Sequence, residues 1–289
     1  LRPWGLKFYN GRGYLGAVCT AENMPQTNNT EQIAARANLQ AYVLSFDPNG
    51  PSSVTVELSI PMGYLKGQAE GNNNNYNNQW FAWTDTWNLG LWKNVNPAPD
   101  QTSGDTSASR PAPILSDIEF ASNGTMIIGF RDRGGDMLGS RNNPPTSADY
   151  TVDYRIGGDM LCAAKVAGTW TLESSGSCGG VAGANTTTVT IDGKSNPPEF
   201  YNDNLAFDLT TQSHRELSNG GIAARIDNNE VLLTVMDPVN YQSGGVRWLD
   251  STNGASLRNY EVYKGENDVS GYFGKAGGMG DLEILYPVQ

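Results

Sequence analysis

The chain has one histidine and three cysteines in 289 residues. With no CxxC pair and no second histidine, a zinc centre is excluded. His214 is the one candidate base for a Ser-His-Asp arrangement, and it lies in the polar stretch TQSHRELSNGG with no GxSxG to support it. Lys and Arg number 19 against 30 Asp and Glu, a net charge of -11. So few basic residues argue against a nucleic-acid partner and against anionic membrane surfaces. No apolar run reaches the ~18 residues of a membrane-spanning helix, so direct membrane insertion is not expected. No GxGxxG sits between a strand and a helix, which removes the usual phosphate-binding signal. A leader is missing too. The opening LRPWGLKFY already reads as strand, so the numbering is expected to start inside a longer protein. Helical periodicity is scarce, and EQIAARANLQAY (31–42) is its best instance.

Turn formers are plentiful: Gly is 34 and Pro 15, beside many Asn, Thr and Ser. One hairpin pattern recurs three times, in GLKFYNGRGYLGAV from Gly5, DIEFASNGTMIIGF from Asp117 and GIAARIDNNEVLLTV from Gly221. Asn10-Gly11, Asn123-Gly124 and Asn228-Asn229 occupy the tips, where the left-handed backbone of tight turns is needed. A second hairpin follows each copy, turning at Asp47 to Gly50, Ala167-Gly168 and Asn253-Gly254. The expected fold is all-β: one domain over 1–289, a β-propeller segment of about three four-stranded antiparallel blades at about 1–62, 114–175 and 218–264. GDLEIL (280–285) would open a further strand. Three blades cannot close a ring, so the segment would belong to a larger one. A β-sandwich is the competing architecture. Residues 63–113 form the longest connection.

PILSDIEFASNGTMIIGFRDRGG, RPWGLKFYNGRGYLGAVCTAE, GGDMLCAAKVAGTWTLE, SNGGIAARIDNNEVLLTVMDP and GKAGGMGDLEIL together resemble the propeller-like repeat region of large exported bacterial cell-surface proteins of the adhesin type. The resemblance implies an extracellular or cell-surface location and an adhesive or ligand-binding role within a larger polypeptide or assembly. It carries no catalytic residue.

Several residues stand out as candidates. Tyr76, Trp80, Trp83 and Trp87, with Phe81 and Trp92, lie in an Asn-rich loop. Flat rings beside amides suit a glycan or a surface protein, whereas a lid folded onto the blades would bury the same rings. Asp132 and Asp237 follow equivalent strands, and gathered on one face they would suit Ca²⁺; as turn caps they would bind nothing. No other cofactor is implied. Asp117, Glu119, Asp281 and Glu283 come from equivalent strands and would converge, which raises a carbohydrate-active enzyme as an alternative to the non-enzymatic expectation. A structural module of a surface assembly is the third option. Cys162 and Cys178 bracket a hairpin and suit a disulfide, leaving Cys19 over. Three Asn-x-Ser/Thr triplets, at Asn28, Asn123 and Asn185, read as chance in so Asn- and Thr-rich a chain.

Overall fold

A computed structural model describes residues 1–67, 78–87, 105–139, 142–145, 151–154, 156–191, 194–204, 216, 218–239, 243–264 and 279–285. Tyr76, Trp92 and His214 lie outside them.

The fold is all-β, with three four-stranded antiparallel sheets. The first contains β1 (Arg2–Tyr9), β2 (Arg12–Cys19), β3 (Gln40–Phe46) and β4 (Val54–Pro61), in that order. The second contains β5 (Pro113–Phe120), β6 (Met126–Asp132), β7 (Asp159–Val166) and β8 (Thr169–Leu172). The third contains β9 (Ser218–Arg225), β10 (Glu230–Met236), β11 (Ser243–Asp250) and β12 (Ser256–Lys264). Turn chemistry explains the tight connections. Asn10 and Gly11 take φ of 47° and 74°, and Ala167 and Gly168 take 50° and 84°, both residues left-handed as two-residue hairpins require. Three two-stranded pairs decorate the sheets, one of them parallel, between Asp105–Ala108 and Thr151–Tyr154. Among the described residues the sheets do not close into a ring.

Among the described residues, two short helices interrupt the strands. The first, α1 (Asn29–Arg36), starts where the Asn28 side chain accepts from Glu31 N at 3.0 Å and Glu31 reaches back to Thr27 N at 2.7 Å. It stops well before the end of the periodic stretch 31–42, because β3 begins at Gln40. The second, α2 (Arg133–Leu138), is capped by Asp132.

The second sheet is the middle layer. Along β6, Met126, Ile128 and Phe130 join a core shared with Tyr14, Val43 and Ile60 of the first sheet. Ile127 points the other way, into a core with Ile222, Leu233 and Leu249 of the third. The period of two along one strand therefore feeds two cores, and β6 is apolar on both faces for that reason. Tyr9 stacks on Phe120 with ring centroids 3.9 Å apart, fixing the first sheet on the second. Cys162 and Cys178 are joined in a disulfide, and Cys19 is free and exposed.

Candidate functional site

Each sheet begins with a strand whose pairing is interrupted near its start. In β1 the register shifts between Pro3 and Leu6, in β5 between Leu115 and Asp117, and in β9 between Ser218 and Ile222. Such bulges re-aim side chains and backbone away from the ladder. Here all three point into one cavity of about 450 Å³, lined by Trp4, Gly5 and Leu6, by Ser116 and Asp117, and by Asn219, Gly220 and Gly221. Gly280 and Asp281 supply a fourth wall, with Arg131 and Asp136 at its side.

Backbone proximity makes the walls glycine-dependent. Gly220 has φ of +75°, and a Cβ there would lie 2.2 Å from Ser116 Oγ. That hydroxyl donates to Gly220 O at 2.7 Å and ties β5 to β9. Arg131 chelates Asp136 through Nε at 2.9 and 2.7 Å, and its Nη1 donates to Asn219 O and Met279 O, both at 3.1 Å. The arginine thus anchors the second sheet, the third and the 279–285 segment at once.

Two carboxyls meet in this cavity. Asp117 shares a hydrogen bond with Asp281 and accepts from Ile222 N at 2.9 Å. Burial, then the bond to Asp281, pushes the Asp117 carboxyl up to about 8. It is therefore a proton-carrying acid at neutral pH, able both to donate and to accept. Glu119, two residues on, is bound by Lys7 of β1, yet its burial outweighs the lysine and holds its carboxyl above the ordinary range. Glu283 is near enough to Glu119 and Lys7 to act on both electrostatically. Asp117, Glu119, Asp281 and Glu283 come near one another, but the strand expected at 280–285 is not formed: residues 279–285 run alongside without joining a sheet.

The aromatic loop takes a different role from the binding face expected of it. Trp80 is 0% exposed and donates from Nε1 to Tyr64 OH at 3.0 Å. Trp83 donates to Pro113 O at 2.9 Å with the Arg133 guanidinium 4.7 Å over its ring. Trp87 packs against Leu138, Val152 and Tyr154. Backbone bonds from Phe81 N to Pro111 O (2.7 Å) and Trp83 N to Thr20 O (3.0 Å) strap the segment down. Trp80, Trp83 and Trp87 are thus packing residues here. Their apolar area is better matched to the gap beside the first two sheets than to water.

Asp132 and Asp237 take the turn-cap arrangement of the two offered for them. Both are fully buried, at equivalent strand ends. Asp132 Oδ1 accepts from Ala112 N and Gly134 N, both at 2.9 Å, and Oδ2 accepts from Tyr154 OH (2.9 Å) and Gly157 N (3.2 Å). Four protein donors fill a carboxylate's principal lone-pair sites and leave none for Ca²⁺. Asp237 accepts from Ser243 N at 2.9 Å and closes the turn before β11. Among the described residues the one grouping with metal-ligand spacing lies elsewhere, at Asp159, Glu199 and Glu216. Its sequence signal is faint: Gly157-Gly158-Asp159-Met160 repeats Gly134-Gly135-Asp136-Met137, while Glu199 sits in the Asn- and Pro-rich SNPPEFYNDN and Glu216 in the polar TQSHRELSNGG. Trp4 was hidden in the opening strand, since a bulge has no compositional mark.

The molecule is thus an all-β protein with bulged first strands around an open, acid-lined cavity. Its sequence is similar to three proteins of Dictyostelium discoideum: Colossin-A (27% identical over 97% of this chain), Colossin-C (24% over 96%) and Colossin-D (26% over 98%). The chain spans only 2%, 24% and 26% of their respective lengths. These relatives are eukaryotic and overturn the resemblance to bacterial adhesin-type surface proteins. Short strand–turn–strand motifs are set by hairpin physics and recur without kinship, which is why they misled. No protein family model matches the chain. A solved luciferin-regenerating enzyme aligns over 92% of this chain and 62% of its own at 10% identity, with a TM-score of 0.28 that supports no argument.

Proposed function

We propose that this chain is a non-catalytic, exported ligand-binding module whose ligand is a small polyhydroxylated molecule of the saccharide class. The observation that carries this reading is Trp4. Its indole is 61% exposed, in the same open cavity as the Asp117–Asp281 pair. An indole face covers the apolar face of a sugar ring, while a proton-sharing acid pair serves hydroxyls as donor and acceptor. Export is supported by the Cys162–Cys178 disulfide, a bond that persists in oxidising compartments. Membership of a larger ring of blades is supported by three layered sheets whose first strands gather at one cavity. Leu6 and Phe8 of β1 and Tyr260 and Val262 of β12 lie exposed on the outer layers, as they would be where further sheets pack.

The test is a glycan array followed by calorimetry on the hits. Trp4→Ala is expected to abolish binding and Asp117→Asn to weaken it roughly tenfold, about the worth of one charge-assisted hydrogen bond. Absence of any glycan binding by the parent protein, or equal binding by Trp4→Ala, defeats the proposal.

A second reading, a carbohydrate-active enzyme, is favoured by the raised Asp117 in an open cavity. Against it, glycosidases hold their two acids roughly 5–9.5 Å apart to flank the scissile bond. Asp117 and Asp281 are already in hydrogen-bond contact. Release of reducing sugar from a bound glycan would decide for the enzyme.

A further inference from the structure

We propose that Asp159, Glu199 and Glu216, with Asp203 and the amide oxygen of Asn204, form a buried Ca²⁺ site, separate from the cavity above. One carboxylate oxygen from each of the first three lies within 4.8 Å of the others, and all three residues are buried. Proximity of acids alone would not suffice, because shared protons could hold such a group together. The hydrogen bonding decides in favour of a cation.

Glu216 is 0% exposed and neither of its carboxylate oxygens makes a well-formed hydrogen bond. Among the described residues the backbone N–H of Gly67 lies near it without completing a hydrogen bond. Asp203 is 1% exposed, and its Oδ2 has no donor. Glu199 accepts from Asn204 Nδ2 at 2.8 Å through Oε2, and its Oε1 has no donor. That same bond fixes the Asn204 amide, so its Oδ1 is turned to the other side. There it too has no donor, and it crowds the same point as Glu216: a Cβ added to Gly67 would lie 2.0 Å from Glu216 Oε1 and 2.9 Å from Asn204 Oδ1. A neutral amide oxygen facing a carboxylate oxygen has no proton to share on its side. Buried oxygens left without donors in this number are costly unless a cation sits among them.

The nearest buried ammonium does not do that. Lys66 is fully buried, and its charge acts on Asp159, Asp203 and Glu216, yet Nζ makes no hydrogen bond and lies 5.0 Å over the Trp80 ring. Arg247 acts on Asp203, but its Nε and Nη1 are also without partners. Asp159 is the anchored member, held by Met160 N at 2.7 Å and by Tyr64 OH. All the ligands offered are hard oxygens, which select Ca²⁺ or Mg²⁺ over softer metals. A closed, irregular set of carboxylate and amide oxygens favours Ca²⁺, because Mg²⁺ keeps several waters and an octahedral shell.

Chelator-stripped protein titrated with CaCl₂ is expected to bind one equivalent by calorimetry. Its Tm should rise by roughly 5 °C or more in millimolar CaCl₂ over EDTA, with a smaller rise in MgCl₂. Glu216→Gln, which keeps the shape and removes one charge, is expected to lose both the heat and the Tm rise. In EDTA it should melt at or above the parent, since excess buried negative charge has been relieved. Asp203→Asn reads the same way should Glu216→Gln fail to fold. The site is refuted by an unchanged parent Tm and no heat in CaCl₂. It is refuted equally if both variants bind as the parent does, because the ion would then lie elsewhere.

Discussion

The carboxyl of Asp117, in the middle sheet, is hydrogen-bonded to that of Asp281, 164 positions further along the chain. That bond, with burial acting first, raises Asp117 to about 8, against about 3.9 in an unfolded chain. Between about pH 4 and pH 8 the folded protein holds a proton that the unfolded chain has released, so stability falls as pH rises through that window. Glu173, lifted to about 8 chiefly by burial, acts in the same direction. In EDTA the Tm is expected to decline from pH 5 to pH 8.5, and less steeply in Asp117→Asn. A Tm that climbs across this range would contradict the assignment.

Gly220 stands where β5 and β9 approach most closely. Alanine there meets both a left-handed backbone and the Ser116 hydroxyl. The expected loss is about 2–4 kcal/mol, from strain and overpacking together. Urea unfolding of Gly220→Ala measures it, and a loss below 1 kcal/mol would mean that the bulge relaxes freely.

Asp132 gathers four donors from Ala112, Gly134, Tyr154 and Gly157. Asp132→Ala strands them all, at a cost of about 3 kcal/mol or more. Because no lone pair remains for an ion, its stability loss should be identical in EDTA and in CaCl₂. A calcium-dependent loss would restore Asp132 as a ligand.

Trp80 sits at the centre of the strap over the first two sheets. Trp80→Ala is expected to lower stability by about 3–5 kcal/mol through cavity formation. In the same preparation, glycan affinity of the folded fraction should be unchanged, since Trp4 and not Trp80 lines the cavity. Calorimetry on soluble variant separates the two effects.

The Cys162–Cys178 bond closes a sequence separation of 16 residues. Replacing both cysteines with serine is expected to remove about 3 kcal/mol, on the chain-entropy account of a loop of that length. Reduction of the parent protein should produce a similar shift in the urea midpoint.

The all-β class was legible because turn-forming pairs such as Asn10-Gly11 and Ala167-Gly168 mark the hairpin tips, where both residues are left-handed, and the strands between the tips alternate. The acid convergence was legible from the pattern, since DLEIL from Asp281 echoes DIEF from Asp117, although residues 279–285 form no strand. Other features resisted. A bulge at Trp4-Gly5 or Ser116 leaves no trace in composition, so the walls of the cavity were invisible. The Trp80 loop could be scored for content but not for burial, which depends on what lies beneath it. Asp132 and Glu216 are both simply acids in sequence. Only the donors around them separate a filled carboxylate from an unfilled one, and those donors come from distant segments.

The cavity between the bulges has a consequence for how the chain assembles. Its walls come from residues near 4, 116, 220 and 280, so contacts across it close loops of about 60 to more than 100 residues. Hairpins within each sheet form from neighbours and need no such closure. Closing the cavity therefore depends on contacts between segments distant in sequence, unlike the hairpins within each sheet. A nascent chain halted after Lys264 has all twelve strands of the three sheets and one wall missing. A chain truncated there is expected to keep the three sheets and lose the wall that Gly280 and Asp281 supply.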